Sequence, residues 1–247
     1  MTADAPAARC VAVDLRRDGY QGRGALAWIG TAEFAAVAGR ADEFLHPEER
    51  AVFAGFKVDR RRMSYLLGRV AAKTALGACV GRGFDPTQCL VAPGVFSQPM
   101  VRYSAAPGLD ISISHSDRVA CALAFPGEHP MAVDLEEVDA ARTKVMLTQI
   151  RPAEDELARA RCPSVDVAAT VLWTAKEALS KALRCGMTCP YELLEVAAVE
   201  ARDDVLTGTF RNFGQYKFEA RVRGSSVLTV VLPKKTAMVL PLPGPSW

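Results

Sequence analysis

The sequence predicts an α+β fold of two similar halves related by a pseudo-twofold axis, each a small antiparallel sheet packed on a long helix. The first observation behind this prediction is that four short segments recur in the same order at offsets of 105 to 120 residues. The second is the order of patterns in each half: a strand, a helical stretch, a long helix and a pair of strands. The turn-rich sequence 126–130 separates the halves, which gives an N-terminal half at 1–127 and a C-terminal half at 128–247.

Four pairs of matching segments support the duplication. Each match alone is weak, and a chance similarity among Ala-rich segments is the alternative explanation. Because all four occur in the same order along the chain, we favour two copies of one folding unit. The matched pairs are 11–15 with 131–135, 46–50 with 151–155, 66–76 with 173–183, and 119–125 with 226–232.

The main elements of the N-terminal half follow from periodicity. Residues 60–80 are rich in helix formers and place Leu66 and Leu76 at helical spacing, which predicts a long helix. Residues 111–114 and 119–125 both alternate with a period of two, and the turn-forming sequence between them predicts a β-hairpin. The matching segments place a similar helix and strand in the C-terminal half.

The composition indicates a folded protein without a membrane or nucleic-acid partner. The chain has 247 residues, 50% hydrophobic and only 7% aromatic, with a net charge of +2, so it can form a core but shows no extended basic and aromatic surface. Its longest uninterrupted apolar run, 119–125, is shorter than the roughly 20 residues that a bilayer span needs, and residues 1–10 include no apolar signal region. Seven cysteines without a CxxC pair suit reduced thiols. We therefore expect a cytoplasmic protein, and the two fused halves favour a monomer.

A basic cluster lies in and just before the predicted long helix. Residues 50–73 contain seven Lys and Arg residues and a single acid, Asp59. A solvated helix face is the plain interpretation, and a binding site for an anion is the alternative. The cluster comprises Arg50, Lys57, Arg60, Arg61, Arg62, Arg69 and Lys73.

Two acids lie on a predicted strand of the C-terminal half. In segment 131–136, Val133 and Leu135 face one side, so Asp134 and Glu136 project together from the other. Carboxylates this close repel each other unless a cation lies between them, and Mg²⁺ with waters and substrate phosphates is the usual partner of such hard oxygen ligands. A polar strand face exposed to water is the alternative, and it is the more common one for an isolated pair.

The second long helix adds a third acid and a lysine. Glu177 and Lys181 lie four residues apart on the face that includes Trp173, and such a pair contributes only about 0.2–0.5 kcal/mol to a helix without any function. The functional interpretation gives Glu177 to the metal and Lys181 to a phosphate. Three carboxylates, one divalent cation and a lysine facing a polyanion would balance in charge.

His115 follows an alternating strand at a predicted turn. A single histidine in a turn is more often solvated than catalytic. Ser114 and Ser116 flank it, however, so the segment offers several donors where an anion could bind.

Taken together, these segments resemble the Sfp-type 4′-phosphopantetheinyl transferases. The family has a strand ending in (N)ISHS, a G-I/V-D-I/L-E strand and a helix with W-S/T-x-K-E-S/A-x-x-K, in that order. Here they stand as Ile113-Ser-His-Ser116, Ala132-Val-Asp-Leu-Glu136 and Trp173-Thr-Ala-Lys-Glu-Ala-Leu-Ser-Lys181. The order and spacing extend over most of the chain, and the family's pseudo-twofold fold is similar to the repeat found above.

The resemblance implies a magnesium enzyme and assigns its reacting residues. Asp134, Glu136 and Glu177 match the family's Mg²⁺ ligands, Lys181 matches the lysine at the pyrophosphate of coenzyme A, and Glu154 matches an acid near the reacting lysine. A serine of an apo acyl or peptidyl carrier protein would attack the β-phosphate of coenzyme A and release 3′,5′-ADP. Glu177 would accept the serine proton and Lys181 would neutralise the charge on the leaving group. In phosphoryl transfer, most of the rate enhancement comes from positioning and charge neutralisation.

The resemblance also assigns the nucleotide contacts to the N-terminal half. His115 matches a histidine that contacts a phosphate of coenzyme A, with Ser114 and Ser116 beside it. Arg60 and Arg62 lie where the family has basic contacts to the nucleotide. Three departures concern this end of the site, because Glu49, Val52 and Gln98 occupy positions where family members have lysines.

Two alternatives remain open at this point. A Mg²⁺-dependent phosphohydrolase could use the same acids with water as the nucleophile, and a catalytically silent coenzyme A-binding protein is compatible with the missing lysines. The carrier could belong to polyketide, nonribosomal peptide or fatty-acid biosynthesis, since these carriers share a helix-borne serine.

Overall fold

The computed structural model describes residues 8–244 and 247 as two compact units. The N-terminal unit comprises residues 8–128, 237–243 and 247, and the C-terminal unit comprises residues 129–236 and 244. The division after Glu128 lies one residue from the predicted boundary, but the predicted C-terminal half does not stay together, because residues 237–243 return to the N-terminal unit. Residues 1–7, where no signal region is expected, and residues 245 and 246 of the Pro-rich tail lie outside the described residues.

Both units contain antiparallel strands and helices, as the α+β prediction requires. The strands are β1 (Arg9–Arg17), β2 (Tyr20–Gly30), β3 (Leu90–Pro93), β4 (Pro99–Arg102), β5 (Leu109–His115), β6 (Val119–Pro126), β7 (Ala132–Glu137), β8 (Val196–Arg202), β9 (Val205–Phe210), β10 (Tyr216–Arg223), β11 (Ser226–Pro233) and β12 (Ala237–Val239). The helices are α1 (Phe34–Ala38), α2 (Ala41–Phe44), α3 (Pro47–Gly55), α4 (Asp59–Val80), α5 (Ala140–Leu147), α6 (Pro152–Arg159) and α7 (Val165–Ala182), with 3₁₀ turns at Thr31–Glu33, Gly186–Thr188 and Tyr191–Leu194.

The N-terminal unit is a five-stranded antiparallel sheet in the order β12-β1-β2-β6-β5, with α4 packed on β2, β6 and β5. Its core lies between the apolar face of α4, which includes Leu66 and Val70, and small and branched residues of these strands, such as Ala122 and Ala124. The β5–β6 hairpin has the predicted turn, in which Ser116 N donates to Val119 O at 2.8 Å. The predicted long helix is present and begins at Asp59.

The C-terminal unit is a second five-stranded antiparallel sheet, in the order β7-β11-β10-β9-β8, with α7 packed on β11 and β7. Helix α7 begins where the Ser164 hydroxyl accepts a hydrogen bond from Val167 N at 3.2 Å, an N-cap that satisfies one free donor of the first turn. It is buried along most of its length, which suits its high content of Ala, Val and Leu. Because α7 is packed so closely, its side chains that face the sheet have little freedom to move.

Strand pairing revises one of the four sequence matches. In each unit a hairpin pairs with an earlier strand, β6 with β2 and β11 with β7, so β7 has its counterpart in β2. The pairs agree at a constant offset of 107 residues, since Ala27 faces Ala122 and Asp134 faces Thr229. The predicted match of 11–15 with 131–135 is therefore wrong, because residues 11–15 lie on β1. The pseudo-twofold axis stays a prediction.

None of the helices within residues 8–244 is both long enough and apolar enough to span a membrane.

Candidate active site

Asp134 and Glu136 lie on β7 and face helix α7. Thr229, which pairs with Asp134 across the sheet, contacts Thr174 of α7 through its hydroxyl at 2.6 Å, and this contact fixes the side of the sheet on which Asp134 lies. Asp134 is 4% exposed, whereas Glu136 is partly buried nearer the end of the strand. The alternation of the sequence thus placed both carboxylates on one face correctly.

Lys181 connects helix α7 to this strand. Its Nζ donates to Asp134 Oδ1 at 2.6 Å and to the carbonyl of Val133 at 3.3 Å. The helical spacing suggests a pairing of Lys181 with Glu177, but it does not reveal this contact across the helix–strand interface. The Lys181 ammonium thus forms an ion pair with Asp134, one of the three predicted metal ligands.

Glu136 is held by a residue of helix α5. Arg142 donates to both of its carboxylate oxygens, at 2.6 and 3.1 Å, which is the bidentate geometry that suits a guanidinium. Burial raises the pKa of the Glu136 carboxyl, the hydrogen bonds from Arg142 oppose this shift, and the charge of Asp134 adds to it. No pattern in the sequence singles out Arg142.

Glu177 is held from the other side by Tyr191. The tyrosine hydroxyl donates to Glu177 Oε1 at 2.7 Å, and its ring stacks on Trp173 with centroids 5.1 Å apart. Burial raises the pKa of the Glu177 carboxyl, the hydrogen bond from Tyr191 lowers it, and the charges of Asp134 and Glu136 raise it again. The three predicted ligands therefore lie within one another's electrostatic field.

The chemistry of these donors suits a hard cation. The charge of Asp134 raises the pKa of both Glu136 and Glu177. Carboxylates are the oxygen ligands that Mg²⁺ prefers, and a divalent cation would relieve the repulsion among the three. Within residues 8–244 and 247, however, no group of three or more His, Cys, Asp or Glu residues is arranged to hold a metal ion. In the described arrangement the carboxylates accept hydrogen bonds from Lys181, Arg142 and Tyr191 instead. Metal binding would therefore require some of these donors to move.

Glu154 lies in the first turn of helix α6. It has no exposed surface, and its carboxylate accepts hydrogen bonds from Lys176 Nζ at 2.9 Å, from Val196 N at 2.7 Å and from Arg151 N at 2.9 Å. A carboxylate bonded on both oxygens inside the protein does not reach a substrate. The structure therefore favours a structural role for Glu154, in place of the predicted catalytic one.

The N-terminal unit contains a cavity of about 890 Å³ beside α4. Arg60 and Arg61 line it, whereas Arg62 does not, because its guanidinium lies over the Phe53 ring at 4.9 Å. Of the two arginines predicted as nucleotide contacts, Arg60 therefore lines the cavity and Arg62 does not. The cavity lining comprises Phe56, Val58, Arg60, Arg61, Ser64, Tyr65, Gly68, Arg69, Ala92, Pro93, Ser97, Pro99, Ile113 and His115.

The segment Ser114 to Ser116 divides between two roles. His115 is exposed and lines the cavity together with Ile113, whereas Ser114 points to the opposite face of β5 and is buried. The Ser116 hydroxyl accepts from Arg118 N at 3.2 Å and from Val119 N at 3.3 Å, so it stabilises the hairpin turn. Of the three predicted contacts, only His115 is thus positioned at the cavity.

Two further residues of the cavity were not predicted as a pair. The Arg69 guanidinium lies over the Tyr65 ring at 4.5 Å and approaches Glu49 Oε1 to 3.3 Å. Arg69 belongs to the predicted basic cluster, but its stacking on Tyr65 cannot be predicted from a single sequence.

Comparison with known proteins covers two of the three predicted motifs, those at 132–136 and 173–181. Residues 130–231 match the family model of the 4'-phosphopantetheinyl transferase superfamily. No curated protein matches the chain. Among solved structures, the chain is similar to a holo-(acyl-carrier-protein) synthase from Bacillus anthracis str. Ames in complex with CoA (3',5'-ADP), with 22% identity, 47% of this chain and 96% of that chain covered, and a TM-score of 0.38.

The matched region contains Asp134, Glu136, Glu177 and Lys181, the four charged residues of β7 and α7 that interact electrostatically with one another. The match confirms, for residues 130–231, the 4′-phosphopantetheinyl transferase superfamily that the motifs predict, and the Sfp-type subfamily stays a prediction.

Proposed function

We propose that the protein transfers the 4′-phosphopantetheine group of coenzyme A to a serine of an apo acyl or peptidyl carrier protein and releases 3′,5′-ADP. The observation that supports this most directly is the placement of Asp134, Glu177 and Lys181 on one face formed by β7 and α7, where Lys181 contacts Asp134 and the charges of both act on Glu177. This face lies inside the region that matches the transferase superfamily. Carriers of polyketide or nonribosomal peptide biosynthesis are the partners we propose.

Asp134, Glu136 and Glu177 are the proposed Mg²⁺ ligands. The ion would supply charge neutralisation on the pyrophosphate of coenzyme A. In the described arrangement Lys181 offsets the charge of Asp134 and Arg142 offsets the charge of Glu136.

In the proposed reaction, the carrier serine oxygen forms a bond to the β-phosphorus while the bond from that phosphorus to the leaving 3′,5′-ADP oxygen breaks. Glu177 accepts the serine proton, which its raised pKa favours relative to an ordinary carboxylate. Lys181 neutralises the charge that develops on the leaving phosphate. It can do this without leaving Asp134, since an ammonium has three donors and can keep one of them on the carboxylate.

The cavity of the N-terminal unit is the proposed site for the nucleotide of coenzyme A. Arg60, Arg61 and His115 line it and offer donors to phosphate, and Tyr65 offers an aromatic surface. Positions 49, 52 and 98 lack the lysines of the family, and Glu49 is buried in contact with Lys73. We therefore assign the 3′-phosphate to Arg60 and Arg61.

A mass-spectrometric assay tests this proposal. The protein is incubated with coenzyme A, Mg²⁺ and each of several apo carriers, together with a carrier whose acceptor serine is replaced by alanine. We expect one phosphopantetheine to be added to at least one carrier and none to its alanine variant. Release of nucleotide without a carrier would indicate a phosphohydrolase, and binding of coenzyme A without any mass change in the carriers would indicate a silent binding protein.

A further inference from the structure

Tyr191 contacts the proposed active site from a 3₁₀ turn that follows α7. It is 8% exposed, and its hydroxyl donates to Glu177 Oε1 at 2.7 Å. Its ring stacks on Trp173, with an interplanar angle of 21°. Trp173 and Glu177 lie one helical turn apart on the same face of α7, so the tyrosine covers both of them at once.

The backbone of Tyr191 is also fixed. Its carbonyl accepts a hydrogen bond from Lys176 Nζ at 3.3 Å. Lys176 has no exposed surface and also donates to Glu154 Oε2 at 2.9 Å and to the Gln149 carbonyl at 3.0 Å. The tyrosine is therefore held at its ring and at its main chain, and its hydroxyl has little freedom to move away from Glu177.

We propose that Tyr191 is a positioning residue that orients the Glu177 carboxylate for metal binding and for acceptance of the carrier serine proton. This inference rests on the proposed function. The hydroxyl occupies Oε1, so Oε2 is the oxygen that we assign to the reaction. Outer-shell donors of this kind typically change metal affinity or activity by 10- to 100-fold when they are removed.

A purely structural tyrosine would behave differently, and the chain offers a control. Tyr216 lies in the core of the same unit, is 7% exposed and is thus buried to nearly the same extent. Replacing it with phenylalanine also removes one tyrosine hydroxyl and keeps the ring. If Tyr191 serves only packing, Tyr191→Phe and Tyr216→Phe should have the same consequences.

The test compares Tyr191→Phe, Tyr216→Phe and the wild type in the presence of coenzyme A. Mn²⁺ serves as the probe, its affinity is measured by electron paramagnetic resonance, and kcat and KM are measured with an apo carrier. We expect Tyr191→Phe to weaken Mn²⁺ binding and to lower kcat, each roughly tenfold, with little change in the KM for coenzyme A. We expect Tyr216→Phe to leave all three unchanged, and the two variants should have similar melting temperatures.

A double-mutant cycle with Glu177→Ala completes the test. If Tyr191 acts through Glu177, adding Tyr191→Phe to Glu177→Ala should not weaken Mn²⁺ binding further. Unchanged kcat and Mn²⁺ affinity in Tyr191→Phe, or equal losses with and without Glu177, would overturn the inference while wild-type transfer still supports the proposed function. A wild type that transfers nothing would overturn the proposed function itself, and the inference with it.

Discussion

The N-terminal unit and the C-terminal unit each contain a buried glutamate that joins a helix start, a strand and a lysine. In the N-terminal unit Glu49 accepts from His46 N at 2.9 Å at the start of α3 and from Val91 N at 3.0 Å on β3. It also pairs with Lys73, whose ammonium donates to the carbonyls of Phe44 and Pro86, both at 2.8 Å. The glutamate and the lysine are 1% and 2% exposed.

The C-terminal unit repeats these contacts with different residues. Glu154 accepts from Arg151 N at 2.9 Å at the start of α6 and from Val196 N at 2.7 Å on β8, and it pairs with Lys176. The lysine again donates to two carbonyls, of which one belongs to Tyr191. Two units that bury the same kind of pair in the same set of contacts indicate that the pair belongs to the scaffold.

The difference lies in the position of the lysine on the long helix. At the offset of 107 residues that the strand pairs obey, Lys176 corresponds to Arg69, and Lys73 lies one helical turn later. In the N-terminal unit Arg69 lines the cavity next to Tyr65. In the C-terminal unit Lys176 directly precedes Glu177 on α7. The buried Glu154–Lys176 pair therefore lies next to a residue of the proposed reacting face.

The charged residues of the C-terminal site have uncharged counterparts in the N-terminal unit. The strands and long helices of the two units therefore provide a common framework. Only the C-terminal unit has the charged residues for the metal and phosphate chemistry that we propose at these positions. At the same offset Asp134, Glu136, Glu177 and Lys181 correspond to Ala27, Ile29, Val70 and Thr74.

The largest expected effect comes from breaking either buried pair. Lys73→Met and Lys176→Met each leave a buried carboxylate without its cation, so each should lower the free energy of unfolding by about 3–5 kcal/mol. Lys176→Met also removes the donor to the Tyr191 carbonyl, so its folded fraction should lose transfer activity while that of Lys73→Met keeps it. Chemical denaturation and a transfer assay well below the unfolding midpoint measure the two effects.

Lys235→Met controls for the loss of a lysine, because Lys235 is exposed. It should change neither quantity. Equal loss of activity in folded Lys73→Met and Lys176→Met would show that the two pairs do not differ in the way described.

The next effect separates the two strands with similar sequences. Asp134→Ala should lower kcat/KM by about 10²–10³, a loss similar to that from removing one preorganised donor of a reacting site. Glu136→Ala should cost less because a water can replace one ligand of Mg²⁺. Asp14→Ala should have no effect, since Asp14 lies on β1 and contacts Arg23 at 3.3 Å. Near wild-type transfer by Asp134→Ala at saturating Mg²⁺ would refute the metal assignment.

A smaller effect is expected for Lys181, with its counterpart Thr74 as the control. Lys181→Ala should lower kcat by roughly 10- to 100-fold, more than it raises the KM for coenzyme A, because the charge on the leaving group is greatest in the transition state. Lys181→Arg should rescue the rate only in part, since a planar guanidinium does not reproduce a compact ammonium. Unchanged turnover in Lys181→Ala, matching that of Thr74→Ala, would leave Lys181 with only its contact to Asp134.

The smallest effect concerns the cavity. Arg60→Ala or Arg61→Ala should raise the KM for coenzyme A several-fold more than the KM for dephospho-coenzyme A, because an exposed charged contact contributes about 1 kcal/mol or less. Arg62→Ala is the matched control, since Arg62 lies over Phe53 outside the cavity lining. If all three variants leave the ratio of the two KM values unchanged, the 3′-phosphate is held elsewhere.

Local patterns predicted the main elements and the shared face of Asp134 and Glu136 on β7 correctly. The alternation around Asp134 and the helical spacing of Glu177 and Lys181 are properties of the chain itself, so they placed these residues on the right faces. Contacts between elements were not predictable in the same way, because Arg142 and Tyr191 reach the site from segments with no distinctive pattern.

Two errors have physical reasons of their own. Glu154 resembles an acid of the transferase family, but the sequence alone does not show that Lys176 and two backbone N–H groups would bury it. Ser114 was grouped with His115 because they are adjacent, although strand alternation places neighbouring residues on opposite faces. The return of β12 to pair with β1 left no local signal at all.

The most direct test of the account is the stoichiometry of one reaction. Holo-carrier and 3′,5′-ADP are quantified together over time with wild-type protein, Asp134→Ala and Asp14→Ala, in the presence of coenzyme A and Mg²⁺. The proposed transfer predicts that the two products form in equal amounts with the wild type and Asp14→Ala, that neither forms at a comparable rate with Asp134→Ala, and that no nucleotide is released without carrier. Nucleotide release that exceeds holo-carrier formation, or equal rates in wild type and Asp134→Ala, would contradict it.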